Sequence, residues 1–415
     1  MDLIIRNAKL RRQKALVDIG ITAGKIVKIQ KRIGSKAKKV IPAAGKLVTE
    51  SFCNPHLHLC KVYTLEMLGE AALSAYHGES MGQAMTAIEL ASAVKAKYDA
   101  KWIIKNVRKN VRMAVLNGNL HIRAFADVDR KAKLEGIIAL LKAKKEFEGI
   151  VDLQVVAFPQ DGVVREPGAD KLVRRAMDMG ADVVGGIPWT EYTDADAQRH
   201  IDLMMEIAKE FDADISMLVD DAGDPGLRTL EMLAVRTIQE KREGRSLAHH
   251  ARAMCMYPEP YFQKVSALLK KAKMGVVSDP HTGPLHACVK ELLREGNLVC
   301  LGQDDCADAY YPYGRNSMLE VAFLNSHLLW MTTLADMAKL YDMVTKDAAK
   351  AMNVRNFGLK IGGAAHLVVL DAESVYEALT YHKEPLYVVT HGKLLNKDKL
   401  MAWDDMNKAC PNVTF

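Results

Sequence analysis

With 415 residues, 49% of them hydrophobic and 26% charged, the chain has the balance of an ordinary globular protein. Its net charge of +6 comes from lysines and arginines spread through helical stretches such as 131–145, without interleaved aromatics, so they read as solvated faces and a nucleic-acid partner is excluded. No apolar run approaches the ~20 residues that cross a bilayer, and the 7 cysteines form no CxxC pair, which excludes a membrane span and a disulfide framework and predicts reduced thiols in a cytoplasm.

The N-terminus MDLIIR carries an acid at position 2 and no long apolar core, unlike a signal peptide. Residues 2–9, 17–22 and 25–30 follow as short strands separated by Gly and charged turns. The same pattern returns at 366–370, 386–390 and 393–395, so one small sheet built from both chain ends is expected. Between them, β-rich runs at 119–127, 152–158, 182–187, 213–219, 274–278 and 298–302 alternate with amphipathic segments such as 134–146 and 200–211. Adding strands near 51–58 and 246–250 gives eight, enough to close a parallel barrel. The expected fold is α/β: a (β/α)8 TIM barrel over 51–359 with a small β-sandwich composed of 1–50 and 360–415. Such barrels carry their chemistry at the C-terminal strand ends.

Those ends hold the candidates. His56 and His58 are two apart on a strand, so they share a face and can grip one cation; neutral imidazole suits Zn2+ and Fe2+. Asp304 and Asp305 follow the eighth strand, where a carboxylate can bind metal and accept a proton from water, or merely cap a helix. His249 and His250 close the sixth strand, alternation placing one ring inward and one outward. Asp220 and Asp221 end the fifth, Gln160 follows the third and Trp189 the fourth; each alone is close to an ordinary structural residue.

In order, NPHLH at 54–58, HIRAFADVD at 121–129, VDLQVVAFPQDG at 151–162, GADVVGGIPWTE at 180–191, LAHHARAM at 247–254 and LGQDDCADAYYPYG at 301–314 resemble the cytosine-deaminase branch of the amidohydrolase superfamily. The resemblance extends to the N-isopropylammelide isopropylaminohydrolases. The closing GGAAHLVVLDAE at 362–373 looks like the family's return to its β-sandwich, with His366 where an Asp is usual. By this resemblance His56, His58 and Asp304 are metal ligands, His250 holds substrate and water, and Gln160 contacts the ring's amide. Two positions depart from it: Leu218 stands at the fifth-strand histidine, with Asp221 at the glutamate three residues on, and Phe125 replaces a common second-strand histidine.

The expected activity is metal-dependent hydrolysis of a C–N bond in a small nitrogen heterocycle, an aminated pyrimidine, triazine or related ring. One divalent ion, Zn2+ or else Fe2+, would sit on His56, His58 and Asp304, with Asp220 supplementing them because it shares a strand face with Leu218, or else Asp220 caps the following helix and the protein supplies three ligands. Asp304 would take the proton of water, His250 would stabilise developing charge and Asp221 would protonate the leaving nitrogen. Gln160, Trp189 and Asp305 would bind substrate, in a homo-oligomer. Hydrolytic opening of a cyclic amide or imide, and a lapsed barrel that only binds ligand, are the alternatives.

Overall fold

The computed structural model describes residues 1–67, 91–280, 285–308, 310–403 and 413–414. Short strands rich in Ile and Val open the chain: β1 (Leu3–Leu10), β2 (Val17–Thr22), β3 (Lys25–Gln30), β4 (Lys39–Pro42) and β5 (Leu47–Glu50). Then come the barrel strands β6 (Phe52–Leu57), β7 (Asn119–Asp127), β8 (Asp152–Phe158), β9 (Val183–Gly186), β10 (Asp214–Val219), β11 (Ser246–His250), β12 (Gly275–Ser278) and β13 (Val299–Leu301). The last strands are β14 (Leu367–Val369), β15 (Tyr387–Thr390) and β16 (Lys393–Leu394). One sheet runs β16-β15-β14-β5-β1-β2-β3, with β4 beside β1, so both chain ends build it. Its core gathers Ile5, Ile19, Ile21 and Ile26 with Leu367, Val369 and Val389.

The second sheet runs from β6 to β13 in sequence order, all parallel. Helices cover its outside, which is why the barrel strands read as continuous apolar runs. The helix Asp194–Glu210 begins before the amphipathic segment at 200–211 because the Thr193 side chain caps it, accepting from the Asp196 N–H at 3.1 Å. It buries Ala197, Ile201, Met204, Met205 and Ala208 against the sheet. Among the described residues no helix is long and apolar enough to cross a membrane.

The barrel closes at its mouth. The Asp304 N–H donates to the carbonyl of His56 at 2.9 Å and the His58 N–H donates to that of Asp304 at 2.8 Å. The backbone that joins the last strand to the first therefore also presents three candidate ligands. Inside, residues of β7 two apart stack in layers from floor to mouth: His121, Arg123, Phe125, Asp127. Arg123 is fully buried and donates to Gln154 and Ser216, both at 2.9 Å, and to the Met352 carbonyl. Above it Phe125, Val156, Phe158, Val183, Ile187 and Leu218 form one apolar cluster, with Trp189 against it. Phe125 and Leu218, the two positions where the pattern expects histidines, thus pack into the same wall.

Candidate active site

Pro55 has no N–H to give β7, and the β6–β7 register shifts between Asn54 and Leu57. The Asn54 side-chain carbonyl takes up the slack, accepting from the N–H groups of His56 at 3.3 Å and Gln303 at 3.1 Å. Alternation then sets the buried rings of His56 and His58 edge to face, 5.0 Å apart. Their Nε2 atoms lie 2.9 and 3.5 Å from the same oxygen of Asp304. Those separations are close to the ~3.3 Å edges of a tetrahedral ion with bonds of about 2.0–2.1 Å. The Nδ1 atoms of both rings are buried without a protein partner. Burial pushes His58 well below the usual imidazole range, leaving the lone pair that a divalent cation needs. The donor set fits a metal ion.

Asp304 is in the left-handed region, φ 66°, which Asp tolerates and most residues do not. Burial pushes its carboxyl up, but His250 and His56 outweigh this and hold it well below the usual range. His250 Nε2 approaches the second oxygen of Asp304 at 3.8 Å. Its Nδ1 accepts from Arg252 at 3.1 Å, so the neutral ring carries its proton on Nε2, facing Asp304. Asp221 lies 3.9 Å from His250 and 3.1 Å from Arg252. Burial pushes its carboxyl up to about 7, Arg252 pulling it back and Asp304 adding to the rise.

Strict alternation failed at two strand ends. His250 has φ 65° and Ala251 φ 49°, a left-handed kink that swings His250 to the side already taken by His249. Both rings pack on His56, at 4.5 Å (His249) and 5.0 Å (His250), instead of pointing apart. Asp220, at φ 47°, turns the other way. One of its oxygens accepts from the N–H and hydroxyl of Thr229, both at 2.7 Å, and the other from the Tyr257 hydroxyl. With both oxygens so engaged Asp220 anchors the helix Thr229–Gln239, and among the described residues it falls in none of the groups of His and Asp ligand atoms within 4.8 Å of one another. Asp220→Ala is expected to cost about 3 kcal/mol by orphaning buried donors, seen as a lower Tm with Zn2+ affinity unchanged; a weakened Zn2+ affinity would reinstate it as a ligand.

Gln160 reaches the mouth through a residue that sequence reasoning missed. Its side-chain carbonyl accepts from Lys61 Nζ at 2.6 Å, which directs its amide NH2 away from the lysine. Lys61 also lies 3.4 Å from Asp127 and 5.1 Å from the centre of the Tyr310 ring. Asp305 is buried in the same corner, its carboxyl pushed well up by burial, by Asp304 and by Asp308. Trp189 follows β9 and packs on the apolar wall, its buried indole N–H without a protein partner. Glu191 serves the frame instead, accepting from the backbone of Val163, Val164 and Arg165 and from His200.

Asp279 was also missed, although it follows the seventh barrel strand, β12, where strand ends were expected to carry chemistry. It is buried, 3.5 Å from His250, with both oxygens lacking a hydrogen-bond partner. Gly302 permits this approach: a Cβ there would lie 2.1 Å from Asp279 Oδ1 and 2.8 Å from His56 Cβ.

Comparison with known proteins agrees with this geometry. A profile of the amidohydrolase family matches residues 39–395. The chain is 32% identical to an N-isopropylammelide isopropyl amidohydrolase of Pseudomonas over 403 residues, 96% of this chain and 98% of that protein. Among solved structures, 5-methylcytosine deaminase from Klebsiella pneumoniae, liganded with phosphonocytosine, superposes with a TM-score of 0.86 at 31% identity, covering 94% of this chain and 97% of that one. N-isopropylammelide isopropylaminohydrolase from Burkholderia multivorans shares the fold, with a TM-score of 0.84 at 24% identity over 95% and 98% of the two chains. With the barrel, the composite sheet and the His56–His58–Asp304 group in place, the chain belongs to the amidohydrolase family, in the branch of the cytosine-deaminase-like and N-isopropylammelide-like hydrolases.

Proposed function

We propose that this metal-dependent hydrolase cleaves the exocyclic C–N bond of a pyrimidine or triazine ring that carries an alkyl substituent. The observation that carries the reading is that the polar group of His56, His58, His250, Asp221 and Asp304 adjoins the apolar wall of Phe125, Phe158, Leu218 and Trp189, the Phe125 ring lying 4.3 Å from that of His56 and the Phe158 ring 5.3 Å from that of His58. The polar side suits an aminated sp² carbon and the wall suits an alkyl group. The ion is proposed as Zn2+, with Fe2+ accepted by the same ligands. When bound, such an ion lowers the pKa of water toward neutrality and polarises the bond under attack.

The protein groups then divide the proton traffic. Asp304, held anionic, takes a proton from the attacking water. His250 donates its Nε2–H to charge developing on the ring. Asp221, poised to exchange a proton near neutrality, gives one to the leaving nitrogen. Gln160, fixed by Lys61, offers its amide NH2 to a ring carbonyl, and Asp305 and Trp189 complete the substrate contacts.

The test is ammonia or amine release from 5-methylcytosine and N-isopropylammelide beside cytosine and ammelide, with Zn2+ supplied. At least one alkylated ring should exceed its unsubstituted partner roughly tenfold or more in kcat/KM, the value of one or more buried methyl groups. Equal rates, or turnover confined to cyclic amides, would overturn the proposal. Gln160→Glu and Trp189→His should reorder these substrates while leaving the metal content unchanged; an unaltered ranking would remove both from the substrate site.

A further inference from the structure

A second cluster of metal-ligating side chains lies at the opposite end of the barrel. His121 and Asp152 are register partners near the starts of β7 and β8. His366 directly precedes β14 and His391 directly follows β15, so the small sheet brings two more imidazoles to the same place. Asp152 Oδ2 lies 3.2 Å from His121 Nδ1 and 4.0 Å from His366 Nε2, and its Oδ1 lies 3.2 Å from His391 Nε2. The His121 and His366 rings are 4.8 Å apart, and those of His366 and His391 4.4 Å. The ligand atoms of His121, Asp152 and His366 fall within 4.8 Å of one another. From His121 to Asp127 is six residues of strand, about 20 Å, with the Arg123 and Phe125 layers between, so this cluster is separate from the mouth.

We propose that His121, Asp152, His366 and His391 form a structural binding site for a divalent transition ion of the Zn2+ class, clamping the composite sheet to the barrel floor. Three imidazoles and one carboxylate are a ligand set that Zn2+ accepts; His121 and His391 stand from Asp152 at close to the tetrahedral edge of about 3.3 Å, and His366 would close from 4.0 Å. Hydrogen bonds from His121 and His391 outweigh burial and hold the Asp152 carboxyl well below its usual range, but His366 at 4.0 Å is too distant to share in them. His366 is buried, and burial with His121 and His391 beside it pushes its imidazole down to about 3. At neutral pH it brings a lone pair and no charge. His121 is buried as well, and its Nε2 has no hydrogen-bond partner. An ion has a way in: the side chains of Asp152 and His391 are 45% and 38% exposed. A cleft of about 340 Å³, lined by His121, Asp152, Gln154, Asn353, Arg355 and His366, opens beside them. The buried Arg123, one layer above, is committed to Gln154, Ser216 and the Met352 carbonyl.

The experiment removes the mouth site first. The full chain carrying His56→Ala, His58→Ala and Asp304→Asn, which breaks both His/Asp groups at the mouth, is stripped with a chelator, dialysed against Zn2+ and its bound metal counted. One equivalent should remain per chain and should raise the Tm. Adding His121→Ala or His366→Gln should weaken that equivalent at least tenfold and abolish the Tm rise. His391→Asn, at a half-exposed position whose left-handed φ of 47° asparagine tolerates, should weaken it as well and covers the case in which a buried substitution fails to fold. In the otherwise unaltered enzyme, His366→Gln should lose one equivalent of zinc and keep its turnover. No zinc bound once the mouth is disabled, or an equivalent that ignores all three substitutions, would overturn the site and leave a hydrogen-bonded staple.

Discussion

Asp304→Asn is expected to lower kcat by about 10³-fold or more while leaving the fold intact. The carboxylate faces His56 and His58 with one oxygen and His250 with the other, so on the proposed reading it serves at once as a ligand and as the group that takes a proton. Asparagine is the informative replacement. Its shape keeps the contacts, it tolerates the φ of 66° that would strain alanine, and the backbone bonds that close the barrel are untouched. What is lost is the charge. Asp221, Asp279 and Asp305 are buried nearby with their carboxyls pushed up, so Asp304 is the anion of the group, and His250 and His56 hold it so. The metal-free variant should therefore melt somewhat lower than the parent at neutral pH while remaining folded, and its Zn2+ affinity should fall. His56→Ala should match it in activity. A folded, metal-supplemented Asp304→Asn enzyme with near-normal kcat would take Asp304 out of the chemistry.

The barrel was legible because burial on both faces leaves a continuous apolar signature, and β7 and β8 fall where the runs at 119–127 and 152–158 placed them. The composite sheet was legible because short Ile- and Val-rich strands recur at both ends. What sequence could not supply was the backbone beyond the last regular residue of a strand. A period of two holds only while φ and ψ stay extended, and Asp220, His250 and Asp304 all turn left-handed at their strand ends. That kink brings His250 in and sends Asp220 to Thr229 and Tyr257, two outcomes that strand alternation alone cannot separate. Lys61 and Asp279 were missed for a different reason. Neither belongs to a pair or a motif, and a lone Lys or Asp acquires meaning only from neighbours distant in sequence, Gln160 for the one and His250 for the other. The floor cluster was invisible for the same reason: its four members come from four separate strand termini.

The second large effect concerns the histidine missing from the fifth barrel strand. Leu218 is buried within the apolar wall, so β10 contributes no ligand there. Its register partner on the neighbouring strand is His249. The His249 ring packs 4.5 Å from that of His56, neither of its nitrogens has a hydrogen-bond partner, and burial pushes it well below the usual imidazole range. A neutral, unpartnered imidazole packed on a candidate ligand is costly unless something uses it. His249 is therefore expected to supply, from the adjacent strand, the imidazole that Leu218 cannot. His249→Ala should weaken Zn2+ binding by at least 10- to 100-fold, no less than the loss of a ligand's outer support. Leu218→His should lower the Tm of the metal-free protein, because a polar ring enters the wall at a cost of about 1–3 kcal/mol. In the His249→Ala background, however, it should restore most of the lost affinity, since either position can present one imidazole to the same ion. The four proteins form a double-mutant cycle read by Zn2+ titration. A strong favourable coupling is the expected result. Additive effects, or an unchanged affinity in His249→Ala, would mean that the ion rests on His56, His58 and Asp304 alone and that His249 only packs.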